Sequence, residues 1–417
     1  MRQFATLSGI FHCCRSLPDR QLRSQKRDLV LQYAFIHLSL VLPHRGFWNE
    51  RRVFAYNRGM NHLDILIPFG LPQAELARDL TRQCKAPALA MLLARSKNTH
   101  PPQNLDPFSR ALPHEHWISR QFGLTAADGK DERSNSPPAS AAILQAHGRQ
   151  TMEGHWFVLQ PAHIHVARDH LVLTDIGQLE LDEAHSRRLF QSALPLFEEI
   201  GRTLIYIDAA TWMMRADDWA GLRTSSPQAA SGRNIDIWMP EGPGELAWRK
   251  LQNEVQMQWF SESLNEEREM RGRKPVNSLW IWGGGNAANT SAMSATTTYQ
   301  TAFNLSGWPQ ALAPAASRQS ASAPETILAA TGERGLLMLD DLLEAGLANE
   351  WGVWLQRVEA LDAAWFAPLL QALREKRLDS LSLVLTGQDK LLHLTATASS
   401  LRKFWVKPSL GKLAAQA

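Results

Sequence analysis

The chain of 417 residues contains only three cysteines, which is too few for a small scaffold held together by disulfides. Cys13 and Cys14 are adjacent and Cys84 stands alone. This arrangement lacks the paired spacing of a structural zinc site. We therefore expect a protein of a reducing compartment and place it in the cytoplasm.

Long hydrophobic runs are also missing. The most apolar early stretch, Leu29 to Pro43, contains Gln32 and His37 and is shorter than the roughly 20 residues that a transmembrane helix needs. It lies too far from the start of the chain for a secretory signal. We expect no membrane partner.

Basic residues are unevenly distributed. Residues 1–59 hold ten Lys/Arg and three Asp/Glu, so that the rest of the chain has 34 basic and 38 acidic side chains. A mildly acidic body lacks the clustered Lys and Arg of a nucleic-acid-binding face, and we expect no nucleic-acid partner. The abrupt change at Met60 indicates that residues 1–59 are a basic N-terminal extension, either non-native or disordered.

The remaining chain alternates strand and helix patterns without an internal repeat of solenoid period. Residues 60–286 form an α/β region that begins with a strand at His62 to Phe69 and contains an inserted lobe. Residues 287–325 are rich in Ala, Ser, Thr and Pro, which predicts a low-complexity linker. Residues 326–410 return to strands and helices and complete the main domain. The fold class is α/β, a mixed sheet flanked by helices with a second lobe.

The densest signal lies in Asn234 to Asn286, a strand, a long helix that starts near Pro243, a loop and a strand at Ser278 to Trp282. At helical spacing, apolar residues fall on two opposite sides of the helix: Leu246, Met257, Phe260 and Leu264 on one, and Trp248, Leu251, Val255 and Trp259 on the other. Two opposed stripes predict a helix that is covered on both sides.

Two polar or flexible features of this stretch are candidate ligand contacts. Asn253 falls within the first stripe, where an unpaired amide would cost roughly 1–3 kcal/mol, so we expect it to bond to backbone, to a ligand or to water. Gly283, Gly284 and Gly285 follow the strand and predict a flexible loop at its carboxyl end, where α/β sheets bind ligands. They lack a P-loop ending, and a plain tight turn is the simpler interpretation.

His163 and His165 form the most suggestive pair of titratable residues. On an extended backbone both imidazoles lie on one face, about 7 Å apart. Such a pair can share a metal, bind another ligand or act as acid and base, and ordinary buried polar packing is the plain alternative. No cysteine or H-E-x-x-H pattern accompanies the pair, so divalent metal remains one of three alternatives.

Arg233, Asn234 and Asp236 form a compact polar cluster. An arginine here could hold a carboxylate or phosphate through two parallel hydrogen bonds. A structural pair between Arg233 and Asp236 is the simpler interpretation.

Several segments resemble a known superfamily, and they follow in one order. KPVNSLWIWGGGN (Lys274–Asn286) resembles the Pro-x-Asn, strand, Gly-x-Gly segment of archaeal-type cofactor-independent phosphoglycerate mutases, with Trp282 where that family usually has Arg. APALAMLLA (Ala86–Ala94) is similar to a Thr-Pro-Asn segment of the alkaline phosphatase superfamily. LSLVLTGQD (Leu381–Asp389) is similar to its late metal-binding strand. The resemblance implies an alkaline-phosphatase-like fold.

A closer resemblance is to bacterial RpfE-type regulatory proteins, which are labelled phosphoglycerate-mutase-like. It is carried by HLDILIPFGLP (His62–Pro72), by the PxHxH of Pro161–His165, by GRNIDIW (Gly232–Trp238) and by Phe404-Trp405. This resemblance implies a regulatory protein partner.

The departures from the superfamily pattern concern its two metal ions. The first strand exits as Pro68-Phe69-Gly70 where the superfamily has Asp-Gly, and the late Asp-His is replaced by Gly387-Gln388-Asp389-Lys390. A lysine beside the metal position opposes cation binding, because like charges repel strongly in a pocket of low dielectric.

Two functional interpretations follow. In the first, the chain has lost the bimetal centre, needs no cofactor and binds a small phosphorylated or anionic ligand, or a regulatory protein, through a pocket built by His163, His165, Arg233, Asn253 and Gly283–Gly285. In the second, it is a metal-dependent phosphoglycerate mutase or phosphohydrolase that uses His163 and His165 as metal ligands or acid/base groups.

Overall fold

A computed structural model describes residues 59–124, 135–149, 152–286 and 299–416. The N-terminal extension up to residue 58 lies outside the described residues, as do residues 287–298 of the predicted linker. Fourteen strands occur in the described part: β1 Met60–Ile67, β2 Lys97–Asn98, β3 Gln103–Asn104, β4 His155–Ala162, β5 Ile164–Ala167, β6 His170–Leu173, β7 Thr203–Asp208, β8 Thr211–Arg215, β9 Ser278–Asn286, β10 Thr301–Phe303, β11 Arg318–Gln319, β12 Gly332–Met338, β13 Ser380–Thr386 and β14 Lys390–Thr397.

The α-helices of the same ranges flank these strands: α1 Ala74–Gln83, α2 Pro87–Arg95, α3 Pro113–Gln121, α4 Ala139–Ala146, α5 Glu183–Glu199, α6 Pro227–Ala230, α7 Glu245–Phe260, α8 Ser263–Met270, α9 Pro324–Ala329, α10 Leu343–Leu347, α11 Trp351–Leu361, α12 Ala367–Arg374 and α13 Gly411–Gln416. None of the helices found in these ranges is long and apolar enough to cross a bilayer.

The main sheet has eight strands in the order β11-β10-β12-β1-β13-β14-β2, and β3 also pairs with β14. β1 runs parallel to both β12 and β13, whereas β14 is antiparallel to β13. β1 lies at the centre of the sheet because its second half is mostly apolar. Leu63 to Ile67 are all buried, as expected of a strand covered on both faces. The predicted mixed α/β sheet flanked by helices is confirmed.

The second lobe contains an antiparallel sheet in the order β7-β8-β4-β9 and a separate hairpin of β5 and β6. Helix α7 packs on this sheet through one apolar stripe, Trp248, Leu251, Val255 and Trp259, which is fully buried. Strands β4, β7, β8 and β9, all within residues 60–286, therefore form a sheet separate from the main one.

The other stripe of α7 corrects the sequence prediction. Leu246, Met257 and Phe260 are 79%, 76% and 88% exposed, so the helix is covered on one side only. The helix begins at Glu245 and ends at Phe260, and the chain restarts as α8 at Ser263. Leu264 belongs to this second helix and is buried. The predicted stripe treated the two helices as one.

The structure also differs from the predicted linker wherever it describes it. Within residues 299–325, β10 pairs in parallel with β12 and so extends the main sheet. Tyr299 and Phe303 are buried there, and Leu312 packs in the same cluster as Tyr299. A few well-placed large side chains and the sheet hydrogen bonds offset a composition that is otherwise poor in apolar groups.

The three glycines lie within a strand instead of a loop. They belong to β9, where Gly285 pairs with Trp156 of β4. A Cβ on Gly284 would lie 2.5 Å from the Phe157 ring, and one on Gly285 would lie 2.8 Å from Pro138 Cβ. These positions allow close packing of β9 against its neighbours, and this differs from the predicted flexible binding loop.

Candidate functional site

A cavity opens where the central parallel strands end. β1 and β13 are neighbours and run in the same direction, so their carboxyl ends reach the same edge of the main sheet. The cavity there has a volume of about 540 Å³ and is lined by residues that follow both strands, including Phe69 and Gln388, and by Arg233 from the second lobe. Open α/β sheets bind ligands at this edge.

Phe69 occupies the place where the superfamily pattern has an aspartate. Its backbone is left-handed, with φ of 56°, and its carbonyl accepts a hydrogen bond of 2.8 Å from Trp354 Nε1. The ring is buried against Gly346 of α10, where an added Cβ would come within 2.4 Å. The exit of β1 therefore supplies an aromatic packing group and no carboxylate.

Arg233 is the most distinctive charged group of this cavity. Its side chain is half-buried, with the guanidinium carbon 5.0 Å from the centre of the Trp238 ring and Nη1 3.4 Å from the Pro107 carbonyl. With the Gln388 amide oriented so that its oxygen faces the guanidinium, that oxygen accepts from Nε at 2.8 Å and also from Nη2. Burial lowers the pKa of Arg233, and the charge of Asp389 opposes that shift.

The predicted cluster around Arg233 separates in the structure. Asn234 precedes the short 3₁₀ helix Ile235–Trp238 and accepts from the Asp236 N–H at 3.1 Å, so that it caps the helix. Asp236 is exposed, and within the described ranges Arg233 forms no ion pair with it or with any other carboxylate. The guanidinium is held by a ring, an amide and a carbonyl, all of them uncharged.

The rim of the cavity carries charges of both signs. Lys390 and Asp389 follow β13, and Glu75 lies in the first turn of α1. Lys390 follows directly after Gln388 and Asp389, the residues that align with the late Asp-His of the superfamily pattern. Among the described residues, no group of three His, Cys, Asp or Glu side chains is arranged to hold a metal ion.

His163 and His165 do not line this cavity, and His165 lines a different one. Their rings stack with centroids 5.5 Å apart and an interplanar angle of 16°. His163 Nδ1 donates to the Pro275 carbonyl at 2.8 Å, and burial lowers the pKa of this histidine. His165 lines a cavity of about 180 Å³ together with Asp175, in which Thr174 Oγ1 lies 3.4 Å from His165 Nδ1.

The small cavity of His165 also contains Lys274 and Glu344. Burial raises the pKa of Asp175, and the nearby charge of Glu344 raises it further, while its bond from the Gly177 N–H and the charge of Lys274 act in the opposite direction. This cavity is compact and its charges are mixed, which suits ordered water or a very small polar ligand better than a phosphorylated metabolite.

Asn253 lies at a third place. It is exposed on α7 and lines a groove of about 640 Å³ between that helix and the β5–β6 hairpin, beside Val166 and Leu171. Because Asn253 is exposed, water can bond to its amide and no buried hydrogen-bond partner is needed. His165, Arg233 and Asn253 therefore lie in three separate cavities, and the single pocket expected from the sequence does not form.

A buried charge network that was not predicted from the sequence lies in the middle of β1. Asp64 is fully buried, and its carboxylate contacts His62 Nε2 at 2.9 Å, Arg334 Nη2 at 2.7 Å and the Tyr299 hydroxyl at 2.8 Å. His62 Nδ1 lies 2.6 Å from Ser380 Oγ. Burial raises the pKa of Asp64, but the hydrogen bond and charge of His62 and the charge of Arg334 outweigh it and hold the pKa at about 2.

One local signal could have located this network. His62 and Asp64 interrupt an otherwise apolar strand at alternate positions, so they share one face of β1. A buried aspartate in such a strand requires paired charges. Its partners Arg334 and Tyr299 lie far along the chain, and no local pattern identifies them.

Comparisons with known proteins give likenesses of fold and no family. No family model matches the chain, and no curated protein matches it. Among solved structures, it is similar to the PH0037 protein of Pyrococcus horikoshii, with 12% identity and a TM-score of 0.44, covering 81% of this chain and 88% of that one. It is also similar to the cofactor-independent phosphoglycerate mutase of Thermoplasma acidophilum, with 14% identity and a TM-score of 0.39, covering 85% of this chain and 94% of that one. At these values the comparisons concern fold alone.

Proposed function

We propose that this chain is a phosphoglycerate-mutase-related protein without the bimetal centre, and that it binds a small phosphorylated or other anionic ligand in the Arg233 cavity. The observation that carries the proposal is the Arg233 guanidinium, which is half-buried at the carboxyl edge of the main sheet with neutral partners only. A half-buried cation whose direct contacts are all uncharged favours an anion in the cavity, and Asp389 acts on it without forming an ion pair.

The chemistry of the side chain supports this ligand class. A guanidinium presents a planar set of donors that matches a phosphate or carboxylate, and burial reduces the screening of its charge by water. Lys390 adds a second cation at the rim. The volume of about 540 Å³ is within the range of small-molecule sites.

The proposal gives a metal ion no role because of the residues that follow β1 and β13. Phe69 is packed where the first metal-binding aspartate of the superfamily pattern would stand, and Lys390 lies beside the late metal position, where its charge opposes a cation. A ligand that is bound without being turned over suits a regulatory protein, as the RpfE-type sequence resemblance implies. The regulatory role therefore consists of sensing an anion, and a protein partner would read the bound state.

Thermal denaturation of the full chain tests the proposal, with inorganic phosphate and 3-phosphoglycerate as the probes. A ligand at a hundredfold excess over its Kd stabilises the native state by about 2.7 kcal/mol. We expect at least one probe to raise Tm in the wild type. The control variant, Arg273→Ala, should show the same rise, because Arg273 pairs with Glu180 and neither residue lines the cavity. Arg233→Ala should abolish the rise. If Tm rises equally in Arg233→Ala and Arg273→Ala, the proposal is overturned.

A second candidate function is a metal-dependent phosphoglycerate mutase or phosphohydrolase. The observation in its favour is the stacked pair of His163 and His165, whose second member shares a cavity with Asp175. The two rings are close enough for proton transfer through a bound group. Manganese-dependent turnover that is lost in the double variant His163→Ala/His165→Ala would support it.

A further inference from the structure

The motif Phe404-Trp405 is not explained by the ligand cavity. The two side chains are 84% and 68% exposed, and their rings meet edge to face with centroids 5.2 Å apart and an angle of 83°. Single exposed apolar residues are normal on protein surfaces, whereas a contiguous patch of large aromatics marks an interaction site. The pair therefore marks a surface that binds a partner.

The backbone that carries the pair is held in place. Leu401 and Leu410 are buried at its two ends. Arg95 of α2 donates from Nη1 to the Leu401 carbonyl and from Nε to the Val406 carbonyl, at 3.4 Å in the second case. These bonds fall on both sides of the aromatic pair, so the rings are presented by an ordered loop.

The segment that carries the pair is basic. No Asp or Glu follows Asp389 in the sequence. Burial lowers the pKa of Lys412, and the charge of Lys403 lowers it further, which places these two cations near each other. Within the described ranges, five cations of this region form no ion pair with a carboxylate: Arg95, Arg402, Lys403, Lys407 and Lys412.

We propose that residues 402–407, the aromatic–basic loop, bind the surface of a membrane that contains anionic lipids. Trp and Phe are favoured at the boundary between headgroups and acyl chains, and nearby Lys and Arg are attracted to anionic headgroups. The exposed loop lines none of the three cavities described above, so it presents its rings outward. A flat interface accepts two adjacent rings without a matching pocket.

This proposal departs from the expectation of no membrane partner. That expectation rested on the length of the apolar runs, and run length determines whether a segment spans a bilayer. Binding to a membrane surface depends on a few exposed apolar groups and on charge, and the length of an apolar run indicates neither.

Co-sedimentation of the full chain with vesicles tests the proposal. Vesicles of phosphatidylcholine with about 30% phosphatidylserine should bind the wild type, and vesicles of phosphatidylcholine alone should not. Phe404→Ala/Trp405→Ala should lower the partition coefficient by about tenfold or more, as expected when two interfacial aromatics are removed. The matched control is Met257→Ala/Phe260→Ala, which removes equally exposed apolar groups from α7 and should bind as the wild type does.

A charge variant and a second probe complete the test. Lys403→Gln/Lys407→Gln should bind anionic vesicles more weakly, and more salt should weaken the wild type in the same direction. The proposal is overturned if the wild type does not sediment, or if the Phe404→Ala/Trp405→Ala variant binds unchanged, because the ten basic residues of the N-terminal extension would then account for binding. It is also overturned if polyglutamate is bound through the loop and vesicles are not, since the partner would then be an acidic protein. Equal melting curves of the variants exclude misfolding as the cause.

Discussion

The middle of β1 and the cavity at its carboxyl end carry charge in opposite ways. In the middle of the strand, Asp64 is fully buried and is contacted by His62, Arg334 and Tyr299. At the carboxyl end, Arg233 is half-buried, its direct contacts are uncharged, and Asp389 acts on it without forming an ion pair. A buried charge that loses its partners destabilises the fold, whereas a charge without an ion pair is available to a ligand.

The strongest test of this comparison is Asp64→Ala. The change removes the carboxylate that holds Arg334, Tyr299 and His62, and we expect the free energy of unfolding to fall by about 3 kcal/mol. Arg334 is partly exposed and can recover some hydration, which keeps the loss below that of a fully buried pair. Urea denaturation followed by tryptophan fluorescence measures it. A loss below about 1 kcal/mol would show that the network contributes little to the fold.

The same network predicts an acid dependence. The pKa of Asp64 is about 2 in the folded chain, below the usual aspartate value of 3.8. A depressed carboxyl pKa adds stability above the unfolded value, and this stability is lost as pH falls through the window from about 4 to 2. The contribution is on the order of 2 kcal/mol. Urea midpoints at a series of pH values should fall less steeply in Asp64→Asn than in the wild type, and parallel curves would contradict the assignment.

At the carboxyl end of β1, Arg233→Ala should have a smaller effect on stability. The side chain packs on Trp238 and forms no ion pair with a carboxylate among the described residues, so we expect a change within about 1 kcal/mol, while ligand-induced stabilisation is lost. The comparison between the two sites fails if this variant is as unstable as Asp64→Ala. Both variants should be measured under one set of urea conditions.

The smallest expected effect concerns catalysis. With manganese, cobalt or magnesium supplied, the full chain should not interconvert 3- and 2-phosphoglycerate above a no-enzyme control, because the described residues contain no group of three His, Cys, Asp or Glu side chains arranged to hold a metal ion. A coupled spectrophotometric assay measures this. Metal-dependent turnover that disappears in His163→Ala/His165→Ala would reverse the conclusion and make the pair catalytic.

The sequence predicted the local elements well where one pattern determined them. The apolar run after His62 became β1, and the tryptophan stripe of α7 became its buried face. The opposite stripe failed because helical spacing cannot show whether a second layer exists to cover it. Residues 299–325 were misjudged because composition does not report a short strand, β10, that is stabilised by pairing with β12.

The candidate site could be predicted only in its parts. Arg233 was predicted as a candidate ligand contact, but its neighbours Pro107 and Gln388 come from distant segments that no local pattern connects. His165 and Asn253 lie on different elements whose arrangement depends on how the β5–β6 hairpin packs. Their separation into different cavities is a property of tertiary structure.

The glycine run of β9 has a consequence for how this protein tolerates mutation. Gly283 has φ of +66°, and side chains at Gly284 and Gly285 would collide with Phe157 and Pro138. A saturation screen should therefore mark three consecutive positions as intolerant, with a profile that resembles a ligand-binding motif. In this chain, intolerance at these positions reports the close approach of a strand to its neighbours, and activity assays on soluble variants are needed to distinguish packing from function.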